Sequence, residues 1–179
     1  MAPGLEALAT PEDEFLMYVD DSLESRVRAL SDMKEYITDE GPFDALLAFS
    51  QGASCGASLL LHLEREYRKR GGPASPFKCA VFFCGGPPED PRDLELGVAR
   101  IMDARVDGEV LDLPTGHVWG RNDDRYGYGP GLSALCCGDK REVFVHEGGH
   151  EIPGVRDPEG VLKAVQVVKR TLARAEVDS

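Results

Sequence analysis

The chain has 179 residues, of which 32 are acidic and 20 are basic, and its net charge at pH 7 is −12. This surplus of negative charge argues against nucleic acids and anionic membrane surfaces as partners. The apolar runs are much shorter than the roughly 20 residues that cross a bilayer, and the acidic start of the chain lacks the features of a secretory signal. Five cysteines, two of them adjacent, predict reduced thiols. We therefore expect a cytoplasmic protein with one core.

Helical and strand patterns alternate along the chain after residue 20. The predicted strands are 44–49, 77–84, 113–119 and 142–146. Asp21 and Glu24 form a capping pair at the start of the first predicted helix, which ends before residue 41. The other predicted helices are 51–70, 92–104, 131–137 and 158–175. This order is typical of a doubly wound α/β layer in which helices flank a mostly parallel sheet of about four strands. We expect an N-terminal segment at 1–20 and a single domain at 21–179.

Two elements carry more detailed expectations about burial. Residues 44–49 (DALLAF) are nearly all apolar, which predicts a parallel strand that is buried on both faces. Asp157 is suited to cap the last helix, with Pro158 at its first position. The residues of that helix predicted to face inward are Val161, Leu162, Val165, Val168 and Leu172.

Ser50 lies at a predicted strand-to-helix junction, in the sequence AFSQG (48–52). The nucleophile elbow of α/β-hydrolases is written G-x-S-x-G, and here alanine replaces the first glycine. Small residues are needed there because the strand turns sharply into the helix and the two backbones approach closely. The alternative interpretation is a serine that caps the helix, since serine is common at that position.

Candidate acid and base residues follow the last two predicted strands. The segment GRNDD (120–124) follows the third strand, and HEGGH (146–150) includes the end of the fourth. The order serine, aspartate, histidine is the chain order of α/β-hydrolases. Ser50 would attack a carbonyl carbon, His150 would accept the serine proton, and an aspartate would orient the imidazole. We favour Asp123 as that acid, with Asp124 as a turn residue, although either could serve.

The same HEGGH segment matches H-E-x-x-H, the signature of zinc proteases. That signature requires a helix, on which histidines four residues apart share a face. Gly148 and Gly149 instead predict a tight loop that presents His150, with His146 at the end of a strand. We therefore predict no metal site at His146 and His150, and no cofactor. Tyr126 and Tyr128 could rim a pocket, although a loop between strand and helix is the simpler interpretation.

Several segments together resemble the fungal-type serine hydrolases, the FSH family of α/β-hydrolases. The elbow segment GPFDALLAFSQGASCGASLL resembles that family's elbow, and FKCAVFFCGGPP, LPTGHVWGRNDD and FVHEGGHEIP resemble its later strands, acid turn and histidine loop. The resemblance covers about residues 20–170. It implies Ser50 as nucleophile, Asp123 as acid and His150 as base. It also implies hydrolysis of an acyl ester or thioester, as in family members that release polyketide chains from a carrier protein in secondary metabolism.

The sequence departs from the family pattern before Ser50. The family's first strands, and a loop that supplies one oxyanion-hole N–H, have no counterpart there, which implies a truncated α/β-hydrolase fold. The backbone N–H of Gln51 is the oxyanion donor that can be identified. An exposed apolar edge at 44–49 predicts a homodimer paired through that edge. Two alternatives to hydrolysis remain: non-hydrolytic chemistry such as elimination or cyclisation, and a non-catalytic partner subunit.

Overall fold

The structure is a computed structural model that describes residues 19–20, 22–71, 75–125 and 127–177. Its helices are α1 (Leu23–Glu40), α2 (Gln51–Lys69), α3 (Pro91–Glu95), α4 (Ala104–Asp107), α5 (Tyr128–Ala134) and α6 (Pro158–Val177). Its strands are β1 (Ala45–Phe49), β2 (Cys79–Phe83), β3 (Thr115–Gly120) and β4 (Arg141–His146). A short 3₁₀ turn at Gly138–Lys140 leads into β4. The alternation of helix and strand confirms the predicted α/β class.

The four strands form one parallel sheet in the order β1-β2-β3-β4. Phe49 at the end of β1 lies opposite Phe83 at the end of β2, and Phe83 lies opposite Val118 in β3. The carboxyl ends of all four strands therefore meet at one edge of the sheet. In open parallel sheets this edge is where ligands bind.

Helices cover both faces of the sheet, as a parallel sheet requires. On one face, α1 and α2 enclose the larger apolar core. On the other face, α6 packs against the three strands β2, β3 and β4. The buried residues of the larger core are Ala53, Ala57, Leu59, Leu60, Leu63, Phe77, Ala80, Phe82, Leu111, Leu113, Leu132 and Cys136. Those of the smaller core are Val81, Phe83, Val118, Ala164 and Val167.

The helix predicted at 92–104 is wrong, because two short helices, α3 and α4, occupy this region with an irregular segment between them. Asp90 caps α3 and Asp103 caps α4, each by accepting a backbone N–H two residues ahead. Between them, Gly97 adopts a left-handed φ of 82°. Arg100 donates to Asp90 and to other carboxylates nearby. Side-chain hydrogen bonds thus offer this backbone an alternative to one continuous helix.

The N-termini of the first and last helices are each capped by a polar side chain. Ser22 caps α1, and its hydroxyl accepts the N–H of Ser25 at 3.1 Å. The predicted start at Asp21 lies outside the described residues. Asp157 caps the last helix as predicted, because its Oδ1 accepts the N–H of Gly160 at 2.9 Å. These hydrogen bonds satisfy backbone donors that have no partner inside the helix.

Two expectations about apolar faces were wrong. β1 is not buried on both faces, because one face is exposed and Leu47 and Phe49 are 64% and 39% accessible. Its place at the edge of the sheet agrees with the apolar edge predicted at 44–49. In α6, the apolar side chains of Leu162, Val165 and Leu172 are also exposed. The face of α6 that meets the sheet is instead built mainly from small residues, which let the helix approach the strands closely: Gly160, Ala164, Val167, Thr171 and Ala175.

All five cysteines carry free thiols, as the odd count and the adjacent pair indicated. Three of them are buried and two are partly exposed. None of the helices in the described ranges has the length and apolar character needed to cross a bilayer.

Candidate active site

Ser50 occupies the sharp turn between β1 and α2. Its backbone is strained, with φ 53° and ψ −123°, a conformation that L-residues rarely adopt. The Ser50 N–H donates to the carbonyl of Phe83 at 2.9 Å, which fixes the turn to the end of β2. The side chain of Ser50 makes no capping hydrogen bond to α2. The simple helix-cap interpretation therefore does not account for this serine.

The hydroxyl of Ser50 belongs to a continuous chain of hydrogen bonds with a histidine and an aspartate. Ser50 Oγ lies 2.7 Å from His150 Nε2. His150 Nδ1 lies 2.7 Å from Asp123 Oδ2. The structure thus brings together the three side chains that the sequence singled out, and it pairs His150 with Asp123 rather than with Asp124.

The loop after β4 must cross the end of the sheet, because His150 follows one outer strand and Ser50 follows the other. This loop lies directly on Gly120 at the end of β3. A Cβ at Gly120 would lie 2.2 Å from the carbonyl oxygens of both Gly148 and Gly149. The N–H of Asn122 also donates to Gly148 O at 3.0 Å. Glycine at position 120 therefore allows the histidine loop to reach across the sheet to Ser50.

Asp123 is buried and is held as a carboxylate by donors on two sides. Burial alone would raise its pKa, but the backbone N–H of Arg125 and the side chain of His150 both donate to the carboxylate and lower the pKa below its usual value. A carboxylate that stays ionised can keep a proton on His150 Nδ1. His150 Nε2 is then free of a proton and can accept one from Ser50.

The HEGGH segment forms a loop, not a helix, as its two glycines predicted. His146 ends β4. Its Nε2 pairs with the carbonyl of Glu151 at 3.1 Å, and its Nδ1 accepts the N–H of Gly148 at 3.1 Å. Both ring nitrogens thus support the loop that carries His150. The helical arrangement that a zinc protease needs does not form here.

Two neighbours of His150 were missed by the sequence interpretation. The ring of Phe49, which directly precedes Ser50, lies 5.2 Å from the His150 ring between centroids. Cys84, which directly follows β2, lies beside His150 and Asp123. Cys84 therefore lies at the carboxyl edge of the sheet, where functional side chains are expected. The position of Cys84 directly after a predicted strand was the sequence signal that could have identified it as a neighbour of the site.

A cleft of about 410 Å³ lies between α1 and α2, and its lining includes Gln51, the residue after Ser50. Gln51 and Ser54, from the first turn of α2, lie at its upper end together with Tyr128. Tyr128 is thus placed on a pocket rim, while Tyr126 lies outside the described residues. A partly buried ion pair between Arg26 and Glu89 forms part of the wall. The apolar side chains that line the cleft are Val19, Ala29, Leu30, Met33, Pro87, Leu94 and Ile101.

The architecture that surrounds this site is that of α/β-hydrolases. The structure is similar to a carboxylesterase from Bacillus cereus, with a TM-score of 0.51 and 17% identity over 88% of this chain and 67% of that chain. At this low identity the similarity defines the fold alone. A four-stranded parallel sheet with a strained serine after β1 is the corresponding part of that fold.

Sequence comparison identifies the family. A family described as "Serine hydrolase (FSH1)" matches residues 13–159. The esterase FPY3 of Fusarium mangiferae is 34% identical over 98% of this chain and 78% of its own length. The hydrolase phiM of a fungal species is 34% identical over 69% of this chain and 57% of its own length. The chain thus spans between about half and four fifths of these two relatives. It belongs to the FSH1 family of serine hydrolases.

Proposed function

We propose that this protein hydrolyses an acyl ester or thioester with Ser50 as nucleophile, His150 as general base and Asp123 as the acid that orients His150. The observation that carries the proposal is the unbroken chain of two 2.7 Å contacts from Ser50 Oγ to Asp123 Oδ2. The strained backbone at Ser50 supports it, because strain of this kind is typical of a nucleophile elbow.

In the proposed first step, Ser50 Oγ attacks the carbonyl carbon of the substrate while its proton passes to His150 Nε2. The carbonyl oxygen becomes an oxyanion, and the backbone N–H of Gln51 at the start of α2 is positioned to donate to it. Positive partial charge at a helix N-terminus also favours an oxyanion there. The intermediate then expels the alcohol or thiol, which takes the proton from His150 and leaves an acyl-enzyme on Ser50.

In the second step, a water molecule gives a proton to His150 Nε2 and attacks the acyl carbon. The acid product and the free Ser50 hydroxyl are released when the proton returns to Ser50 Oγ. Throughout both steps, Asp123 stays ionised and stabilises the positive charge that forms on His150. The donors from Arg125 and His150 that lower the pKa of Asp123 favour this role.

The cleft between α1 and α2 suits the acyl part of the substrate. Its lining is mainly apolar, and it opens beside Gln51, next to the nucleophile. Apolar clefts of a few hundred Å³ with a few polar groups are typical binding sites for small molecules. We propose that an extended acyl chain, such as a polyketide-type chain carried as a thioester, lies in this cleft with its carbonyl carbon at Ser50. Small acyl esters are the second substrate form that this chemistry admits.

Labelling with a fluorophosphonate probe tests the proposal directly, because the probe reacts with activated serines. We expect one phosphonylated residue, Ser50, identified by peptide mass spectrometry. Ser50→Ala should abolish both labelling and the hydrolysis of a short acyl ester or an N-acetylcysteamine thioester. Ser75→Ala is the control, since Ser75 lies before β2 and does not line the cleft.

The outcomes separate the three functions that the sequence left open. Labelling of Ser50 together with release of a free acid supports hydrolysis. A labelled Ser50 that yields only eliminated or cyclised products would replace hydrolysis with non-hydrolytic chemistry. A folded protein whose Ser50 never reacts would favour a non-catalytic subunit.

We further propose that two copies associate through β1. The outward side of this strand faces no other strand among the described residues, and Leu47 and Phe49 are exposed on it. A two-fold axis beside β1 would pair it with its own copy and extend the sheet, which brings the apolar side chains of the two copies side by side on one face. Burial of apolar surface contributes about 25 cal/mol per Å², so a few hundred Å² would favour association.

A further inference from the structure

Cys84 is a buried thiol directly beneath the loop that carries His150. It directly follows β2 and has a left-handed φ of 49°, and in the described ranges Ser50 is the other non-glycine residue with positive φ. The backbone N–H of Cys84 donates to Val118 O at 2.8 Å, and its thiol donates to Glu151 O at 3.4 Å. Cys84 thus stands at the carboxyl edge of the sheet, where strain is associated with function.

The thiol joins Asp123 and His150 in one compact group of potential metal ligands. One donor atom from each of the three side chains lies within 4.8 Å of the other two. Thiolate, imidazole and carboxylate are the three kinds of side chain that bind Zn²⁺ in proteins, at about 2.0–2.3 Å from the ion. Ligand atoms around a tetrahedral ion lie nearer to one another than 4.8 Å, so small side-chain movements would complete the site.

We propose that Cys84, Asp123 and His150 form a binding site for Zn²⁺ that inactivates the enzyme while the ion is bound. Binding of the ion rests on these three side chains, whereas the inhibition rests on the proposed function of Ser50. This site differs from the H-E-x-x-H arrangement, because His146 uses both ring nitrogens within the loop.

The inhibition follows from the position of one proton. The thiol of Cys84 loses its proton to water when the Zn–S bond forms, and its contact with Glu151 O breaks. His150 Nδ1 is the ring nitrogen that faces Asp123, so it is the one that binds the ion. The proton of the neutral imidazole then resides on Nε2. An Nε2 that carries a proton donates to Ser50 Oγ and cannot accept the proton of the attacking hydroxyl.

Binding can be measured without any assay of hydrolysis by using Co²⁺ as a spectroscopic substitute for Zn²⁺. We expect the wild-type protein to bind one Co²⁺ with a thiolate-to-metal absorption band and with visible bands of a tetrahedral ion. Zn²⁺ should then displace the Co²⁺ and remove these bands. Cys84→Ser should lose the thiolate band, and Cys84→Ala provides a second variant should the first fail to fold.

Cys137→Ser is the matched control, because Cys137 is a partly exposed thiol that lies outside the group of three ligands and does not line the cleft. Zn²⁺ inhibition is compared with each variant's own activity in the presence of a chelator. Cys84→Ser should require about 100-fold more Zn²⁺, since even the loss of a hydrogen-bond partner of a ligand typically costs about 10- to 100-fold in affinity. Cys137→Ser should respond as the wild type does.

Two results would overturn the proposal: a Co²⁺ spectrum that lacks a thiolate band, or equal Zn²⁺ sensitivity in the wild type and in Cys84→Ser. A failure of the proposed hydrolysis gives a different pattern, in which Ser50 does not react with the probe although the Co²⁺ bands appear. Probe labelling of Ser50 that Zn²⁺ blocks and a chelator restores would support both proposals.

Discussion

The two outer strands of the sheet have very different surroundings. β4 is covered by charged side chains of α6: Arg174 pairs with Glu142 at 2.7 Å, and Lys163 lies 5.8 Å above the ring of Phe144. Among the described residues β1 has no comparable cover on its exposed face, and Leu47 is 64% exposed. Charged residues along an outer strand discourage pairing with other chains, whereas an uncovered apolar strand invites it.

Both outer strands nevertheless supply the site. β1 leads into Ser50, and β4 leads into the loop that returns to Ser50 with His150. The hydrogen-bonded chain therefore spans the whole width of the sheet and depends on the relative position of its two edges. A change at either edge, or in the loop between them, is expected to alter the site.

Removing the carboxylate that orients His150 should have the largest effect. Asp123→Asn should lower kcat by about 10⁴-fold, as the corresponding change does in other serine hydrolases, because the amide favours the wrong tautomer of the imidazole. Asp124→Asn is the control and should cause a far smaller loss, since His150 pairs with Asp123. Steady-state hydrolysis of a short acyl ester measures both variants. Equal losses would show that the acid role is shared.

A methyl group at Gly120 should break the connection between the two edges. Gly120→Ala places a Cβ 2.2 Å from two carbonyl oxygens of the histidine loop, so the loop must move away from Ser50. We expect a loss of about 100-fold in kcat, because a displacement of about 1 Å at a catalytic group can cost that much. Gly127→Ala is the control, since its Cβ would meet no atom within 4 Å. Near-wild-type activity of Gly120→Ala would mean that the loop position is not critical.

Charge on β1 tests whether that strand mediates self-association. Leu47→Lys should weaken the association of two copies by at least about tenfold, since it places a charge in an apolar contact. Val143→Lys introduces the same charge on β4, where Val143 is 46% exposed, and should leave association unchanged. Sedimentation velocity over a dilution series measures all three proteins. A wild-type protein that stays monomeric at high concentration would contradict the proposed dimer.

Loss of charge at the β4 edge should have the smallest effect. Arg174→Ala removes ion pairs with Glu142 that are partly exposed to solvent, and such pairs contribute about 1 kcal/mol or less. Urea unfolding should therefore show a small decrease in the free energy of unfolding. Lys169→Ala removes a charge from an exposed position of the same helix and is the control. A decrease of several kcal/mol would mean that ion pairs, not the apolar contacts of α6, attach this helix to the sheet.

Much of the fold follows from local sequence patterns. The alternation of short apolar runs with amphipathic segments predicted all four strands and the long helices. Short continuous apolar runs are typical of buried strands, and apolar residues spaced three or four apart are typical of helices. The prediction of one helix at 92–104 was wrong, because the conformation of this segment depends on hydrogen bonds between Arg100 and carboxylates on both sides of it. Such hydrogen bonds depend on tertiary position, which periodicity does not encode.

The sequence by itself determined which residue types stand at the carboxyl ends of the strands, and therefore predicted Ser50, Asp123 and His150. It left the choice between Asp123 and Asp124 open, because both follow β3 directly and only the path of the histidine loop brings one of them to His150. It also assigned Leu162, Val165 and Leu172 to a buried face. The tertiary structure decided otherwise, because α6 meets the sheet through its small residues. The residue types alone therefore indicate the chemistry of the site. The burial of an apolar face depends instead on the elements that pack against it.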